Sequence, residues 1–343
     1  MNTFSFLPEL NRLYDFNWRH DQIIPFGSGH IHHTYKVIDG QDTYILQRFN
    51  KDVFKNPEII SHNHELLIKY MDYLNLPFRF PLPIVNVLGF TLSAVREDFF
   101  RISPFVAGVC LEEISEPSQA YLAAKAFAEL ILAGNNLNVQ EFKEVIPGFL
   151  DLELRFNQLL EAIDQTKIPI EGEVKTLVDF FLSREYLVGE YKTWKGKLPI
   201  RLTHNDTKIN NLIFSEDLKS VKAVIDLDTI MPGYVFNDFG DLVRTVACTQ
   251  GENSTDWSEI NVDKSKYDSL HQAFIDVGQG IFTQEELNSL HFGGKMMTCI
   301  TGFRFLSDYL NGNIYYQIKY GEQNLHRAKN QMMLLKSLEK LEL

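Results

Sequence analysis

In the stretch LTHNDTKINNLIF, His204, Asp206, Lys208 and Asn211 stand in the order H-x-D-x-K-x-x-N between two short apolar runs. Those residue types at that spacing suit phosphoryl transfer. The reaction needs a carboxylate beside the attacking hydroxyl, a cation on the transferred group, and an amide oxygen with a second carboxylate for magnesium. On this reading Asp206 takes the hydroxyl proton, Lys208 neutralises the moving phosphoryl group, Asn211 is a metal ligand and His204 braces the loop. A polar loop of Asn, Asp and Thr standing alone is only a turn, so a second acidic element has to follow on a nearby strand. VKAVIDLD supplies it. Asp226 ends an apolar β-like approach twenty residues beyond Asp206, the place for the second magnesium ligand.

Three further aspartates follow closely. Asp228 shares a strand face with Asp226 if the run stays extended, and is expected to touch the substrate or a second metal, or to hold a nearby loop. The letters DFG at 238–240 imitate the magnesium signature of protein kinases, but they open an apolar helical pattern (Phe239, Leu242, Val243, Val246) in which Asn237 or Asp238 is the expected N-cap. Asp241 is then a structural carboxylate near the helix start or a partner of the catalytic loop.

These residues must be carried by ordered elements, and the periodicities divide the chain in two. From Ile23 to Ser103 short β-rich runs dominate, with Asp39-Gly40 as a hairpin turn, a helix over PEIISHNHELLIKYMDYLNL behind Pro57, and further strands expected at IVNVLG, FTLSAVRE and DFFRISPF. Pro104 and Gly108 mark a break. Beyond it the 3.6-residue period prevails, interrupted only by the β-like runs around the catalytic loop. The expected organisation is an N-terminal nucleotide-binding lobe over 1–105 and a catalytic and substrate-binding lobe over 106–343, an α+β fold with a β-rich first part and a mainly helical second.

Composition narrows the partners. The 343 residues carry a formal net charge of −12, with a pI near 5.3, which argues against a nucleic acid backbone or an anionic membrane as partner. No window offers the roughly 18 apolar residues of a membrane span. Cys110, Cys248 and Cys299 are widely spaced and form no CxxC pair, as in a cytoplasmic protein with reduced thiols.

Upstream, FGSGHIHHTYKV places Gly27 and Gly29 at a turn between β-like runs, where backbone N–H groups can approach phosphate oxygens. His30, His32 and His33 lack the acidic or cysteine companions of a zinc site. In YILQRFN, Arg48 is the residue able to pair bidentately with phosphate, with Glu65 or Glu58 as its helical partner. The DTYILQRFN strand offers no lysine of the protein-kinase kind.

Taken together, HNDTKINN and IDLD behind a Gly-rich loop resemble the aminoglycoside phosphotransferase and choline kinase superfamily. Within it, FGSGHIHHTY, YILQRFN, THNDTKINN, VIDLDTIMPG, DFGDLVRT, RFLSDYLNGNIYY and NLHRAKNQ are similar to segments of the N-acetylhexosamine 1-kinases, from about residue 20 to 331. The resemblance implies a protein-kinase-like bilobal fold and transfer from ATP, with Mg²⁺, to the anomeric hydroxyl of GlcNAc or GalNAc. It places RISPFVAG, with Phe105, where adenine is received. It puts His30 over the active site, and makes Arg304 and Tyr315 sugar contacts. Acceptors of the amino alcohol or aminoglycoside type are the alternative within the same fold, and a nucleotide-binding pseudokinase is a third reading.

Overall fold

A computed structural model describes residues 4–27, 32–51 and 54–341. By compactness the chain divides into two units, and not by a single cut after residue 105. The first comprises Met1–Cys110, Ala133–Pro147 and Leu212–Pro232; the second comprises Leu111–Leu132, Gly148–Asn211 and Gly233–Leu343. Among the described residues no helix is long and apolar enough to cross a membrane.

The first unit is built on a five-stranded antiparallel sheet. In spatial order its strands are Ile23–Pro25, His33–Asp39, Asp42–Arg48, Asp98–Pro104 and Ser93–Val95. Asp39 pairs with Asp42, so the hairpin loop is Gly40-Gln41, with Gly40 at φ +62° as a two-residue turn requires. Alternation gives the sheet two different faces. On one, Val37, Leu46, Phe100 and Ile102 are buried beneath Leu7 and Leu10 of the helix Leu7–Tyr14. On the other, cross-strand neighbours form a polar row: Gln47 Nε2 donates to Thr34 Oγ1 (3.3 Å) and Arg101 Nε donates to Gln47 Oε1 (2.8 Å).

IVNVLG is a turn and not a strand. The Asn86 side-chain oxygen accepts from the N–H groups of Leu88 (2.9 Å) and Phe90 (3.1 Å), and its amide donates to Ser93 Oγ (2.9 Å). An asparagine that can bond its own following backbone competes with a ladder, even in a β-branched run. The helix Pro57–Lys69 starts on its proline as expected, and a break at Tyr70 precedes a short helix, Met71–Leu74. A second sheet pairs Val109–Cys110, Leu212–Phe214 and Val221–Val224, all antiparallel.

The second unit is helical and gathers around the 27-residue helix Gln284–Leu310. A capping box starts it: Thr283 Oγ1 accepts from Glu286 N–H (3.1 Å), and Glu286 Oε2 accepts from Thr283 N–H (2.7 Å). Its residues Phe292, Met296, Ile300, Phe303 and Leu306 share one core with the helices Leu152–Gln165, Gly172–Leu182, Glu185–Lys195 and Gln323–Lys340. Against Val235–Val246 it packs backbone to backbone. A Cβ on Gly240 would lie 2.2 Å from Gly293 O, and one on Gly293 would lie 2.3 Å from Phe236 O, so only glycine permits this approach. Nearer its start, Tyr267 Oη lies 2.6 Å from His291 Nδ1, and the His291 ring stacks on His271 at 4.5 Å.

Candidate active site

The loop expected to be catalytic is held by two carboxylates of the helix Val235–Val246. Asp238 accepts from the N–H groups of His204 (2.8 Å) and Asn205 (2.7 Å), and Asp241 Oδ2 accepts from Thr207 N–H (2.9 Å). The helix begins at Val235, behind Tyr234, so neither Asn237 nor Asp238 is its N-cap; Asp238 sits in the first turn, facing the loop. Asp241 is the loop partner expected as one alternative. Asn205, at φ +63°, turns the chain so that Asp206 follows, and Gly233 makes room: a Cβ there would be 2.2 Å from Thr203 Oγ1. The fully buried His204 ring meets Phe127 edge-on at 5.1 Å, which suits a brace.

On this frame Asp206 Oδ1 lies 3.0 Å from Lys208 Nζ, and its side chain is a quarter exposed. Burial alone would push its carboxyl up, but the Lys208 ammonium, His204 and Arg244 hold it below the ordinary value. It is ionised at neutral pH and able to accept a proton. Lys208 is held well above its ordinary value, chiefly by Asp206. Asn211 Nδ2 donates to Asp206 O (2.8 Å) and Oδ2 (3.2 Å), so its nitrogen is spent and its oxygen is the atom that remains for a hard cation. Asp238 is pushed up to about 6 by burial, against the opposing pull of His204 and the two backbone donors.

In the first unit, Asp226 stands at φ +56° with its residue exposed, and Leu227–Thr229 is a single 3-10 turn. The run is not extended here, so Asp226 and Asp228 do not share a strand face. Asp228 is 2% exposed, and both its oxygens are taken within its own unit. Arg101 donates to it through Nη1 and Nη2 (3.0 Å to Oδ2), and His32 Nε2 lies 2.8 Å from Oδ2. Burial would raise the Asp228 carboxyl, but Arg101 and His32 hold it far below the usual carboxylate range. Of the roles expected for Asp228, these contacts fit the holding of a nearby loop: it is a buried anchor of the turn that carries Asp226. Sequence reading missed Arg101 and His32; the signal was a lone arginine inside the apolar run DFFRISPF, opposite Gln47.

The remaining expected nucleotide residues fall as follows. Gly27 has φ +81°, the left-handed geometry of a tight turn, whereas Gly29 and His30 lie outside the described residues. Arg48 pairs with Asp98 at 2.9 Å on the neighbouring strand. Neither expected helical carboxylate takes it, and Glu65 instead accepts from Ser61 Oγ (3.1 Å) and Thr91 Oγ1 (3.4 Å). Phe105 N–H donates to Thr43 O (3.0 Å), so its backbone donor is committed. Its ring lies under Lys36 Nζ (4.1 Å) and edge-on to Phe26 (5.8 Å).

The second unit brings Arg304 and Tyr315 together. The Arg304 guanidinium lies 5.6, 5.8 and 5.4 Å from the ring centres of Phe149, Tyr315 and Tyr316, and among the described residues no carboxylate pairs with it. Asp308, one turn further along the helix, accepts from the N–H groups of Tyr315 (2.8 Å) and Tyr316 (3.0 Å) and from Asn324 Nδ2 (2.8 Å). It fixes the aromatic segment beside Arg304. Tyr315 remains 66% exposed and open to a ligand.

The family model described as APH, the phosphotransferase enzyme family, matches residues 22–257, more than half of the chain. The chain belongs to this phosphotransferase family, and it has a protein-kinase-like fold. An aminoglycoside phosphotransferase from Alicyclobacillus acidocaldarius superposes with a TM-score of 0.64 at 12% identity, covering 93% of this chain and 92% of that one. The ADP-bound aminoglycoside phosphotransferase APH(2'')-Ib gives 0.57 at 15% identity over 97% and 99%. Plasmodium vivax ethanolamine kinase gives 0.56 at 19% identity over 92% and 83%.

Proposed function

We propose that the protein transfers the γ-phosphoryl group of ATP to the anomeric hydroxyl of an N-acetylhexosamine. The observation that carries this reading is the Arg304 cluster: a guanidinium without a carboxylate partner among the described residues, set among three aromatic rings, of which Tyr315 is exposed. Arg155, close enough to be held below its ordinary value by burial and then by Arg304, adds a second positive charge. Such a surface disfavours a polycation and suits neutral sugar oxygens, with aromatic faces for the ring.

In the proposed reaction Asp206 orients the sugar O1 hydroxyl and accepts its proton as O1 bonds to the γ-phosphorus. The bond from that phosphorus to the β,γ-bridging oxygen breaks, and ADP leaves. Lys208 offsets the charge on the transferred group, while the two helix carboxylates keep the loop in place, so positioning carries most of the catalysis. Asn211 and Asp226, assigned from their order along the chain, are the proposed magnesium ligands. Bound magnesium would neutralise nucleotide phosphate charge. Gly27 and Arg48 remain proposed nucleotide contacts, with Phe105 proposed to meet the base through its ring.

An amino alcohol acceptor is the second reading, favoured by the same aromatic rings, which can hold a cation on their faces. ADP release measured across GlcNAc, GalNAc, free hexoses, ethanolamine, choline and kanamycin, with phosphorus NMR of the product, separates the two. An anomeric phosphate supports the sugar reading, and turnover of amino alcohols alone refutes it. Asp206→Ala should lose at least a hundredfold in kcat with the fold intact, the scale usual for acid–base groups; a variant retaining a tenth of the rate would remove Asp206 from that role.

A further inference from the structure

Between the loop of Asp206 and the Arg304 cluster, the second unit carries a chain of polar contacts, buried at Asp241 and Arg244 and open to solvent at Glu252 and Asn253, whose part beyond Asp241 the mechanism above does not use. Asp241, which holds Thr207, accepts through Oδ1 from Arg244 Nε (3.1 Å) and Nη2 (2.9 Å). Arg244 Nη1 reaches on to Glu252 Oε2 at 2.8 Å. The next residue, Asn253, accepts through Oδ1 from Gln323 Nε2 (2.9 Å) and Arg327 Nε (2.8 Å). Arg327 Nη1 donates to Asn324 Oδ1 (3.0 Å), and Asn324 donates to Asp308, the residue that fixes Tyr315 and Tyr316. Asn330 Nδ2 pins the same short segment from behind, at Gly251 O (3.1 Å) and Ser254 O (3.3 Å).

Glu252 sits in the middle of this relay, and its environment is uneven. Its partner Arg244 is 8% exposed, whereas the Glu252 side chain is 33% exposed. One oxygen is committed to Arg244, and the other has no partner among the described residues. A surface ion pair would have two mobile ends. Here the backbone is tied on both sides and the guanidinium is fixed by Asp241, so the remaining oxygen is a preorganised acceptor. The Glu252 charge also reaches Tyr316 of the acceptor cluster, and that of Arg244 reaches Asp206.

We propose that Glu252 is an acceptor-binding residue, its second oxygen taking a hydrogen bond from a donor group of the acceptor other than the hydroxyl that is phosphorylated, with Arg244 as the positioning residue that orients it. The inference rests on the reading of the Arg304 cluster as the acceptor region. The shared chemistry is a hydrogen-bond donor, which a sugar supplies as a hydroxyl and an amino alcohol as an ammonium group.

The test is E252Q, which keeps the shape and an oxygen for Arg244, in steady-state kinetics with varied GlcNAc and, separately, varied ATP. KM for GlcNAc should rise about tenfold, the effect of losing one charge-assisted hydrogen bond, without a matching rise for ATP. If GlcNAc is not turned over, the sugar reading fails on its own, and the same comparison is run with ethanolamine. A lost ammonium contact then raises KM by on the order of a hundredfold at low salt and less at high salt. An acceptor KM unchanged by E252Q, for whichever of the two is turned over, overturns the assignment. So does an equal rise for ATP and acceptor, which is the mark of a general structural role.

Discussion

Replacing Asp241 by Asn preserves side-chain volume and one oxygen for Thr207 N–H, yet it puts an amide where Arg244 needs an anion. Arg244 is 8% exposed and donates two bonds to Asp241 Oδ1 and a third to Glu252. Breaking a buried ion pair from one side costs about 3–5 kcal/mol, because the surviving charge stays desolvated. Glu252 offsets part of that, so the lower end, about 3 kcal/mol, is expected. The assay is urea unfolding followed by tryptophan fluorescence in a W18F background, which leaves Trp194 and Trp257, both in the second unit. The decisive comparison is the double variant D241N/R244M. With the buried cation gone it should be more stable than D241N alone, by on the order of 1 kcal/mol or more. A loss below about 1 kcal/mol in D241N, or a double variant no better than the single, would refute the account of Asp241 as the counter-ion that keeps the catalytic loop and Arg244 in register.

G240A should destabilise the second unit by about 1–3 kcal/mol, the usual cost of overpacking, and lower kcat as well, because its Cβ would push the carboxylate-bearing helix off Gly293; equal melting temperatures would contradict the close packing. For His291, burial, then His271 and Lys295, depress the imidazole to about 4 from 6.5, with Asp268 opposing. A depressed value means that its stabilising share is complete above pH 6.5 and is lost as pH falls through 4, so H291N, which keeps an acceptor for Tyr267, should lose less stability over that window in urea titrations; parallel curves would argue against it. N211A and D226A should each need more Mg²⁺ for half-maximal rate and bind Mn²⁺–ADP more weakly by paramagnetic relaxation, and unchanged Mn²⁺ binding would remove them as ligands. R304L should raise the acceptor KM by about tenfold with melting unchanged.

The grouping of Asp206, Lys208 and Asn211, the proposed catalytic set, was readable in the sequence because these residues are near-contiguous: H-x-D-x-K-x-x-N needs only a turn to bring them together. The β-rich start and helical remainder were readable from periodicity. What was not readable depends on distant partners. Arg101 and His32 meet Asp228 across 127 and 196 residues of chain, and nothing local marks them as its counter-groups. Asp238 was legible as a residue near a helix start, but its allegiance to the loop 33 and 34 residues upstream is set by packing. IVNVLG has the composition of a strand, and a single asparagine overrode it. The unit boundary was hidden because Ala133–Pro147 and Leu212–Pro232 return to the first unit after excursions that no composition shift announces.

The helix Gln284–Leu310 acts as a common beam for two fittings. Gly293 seats the helix whose carboxylates grip the reacting loop, and Arg304 lies eleven residues on, about 16 Å along the axis. A change of side chain near Arg304 therefore leaves the glycine seat untouched. On the proposed assignment, such an arrangement would let a lineage exchange the molecule it modifies while inheriting the chemistry intact, and an engineer would follow the same route: vary the far end of the beam and Glu252, and leave the near end alone.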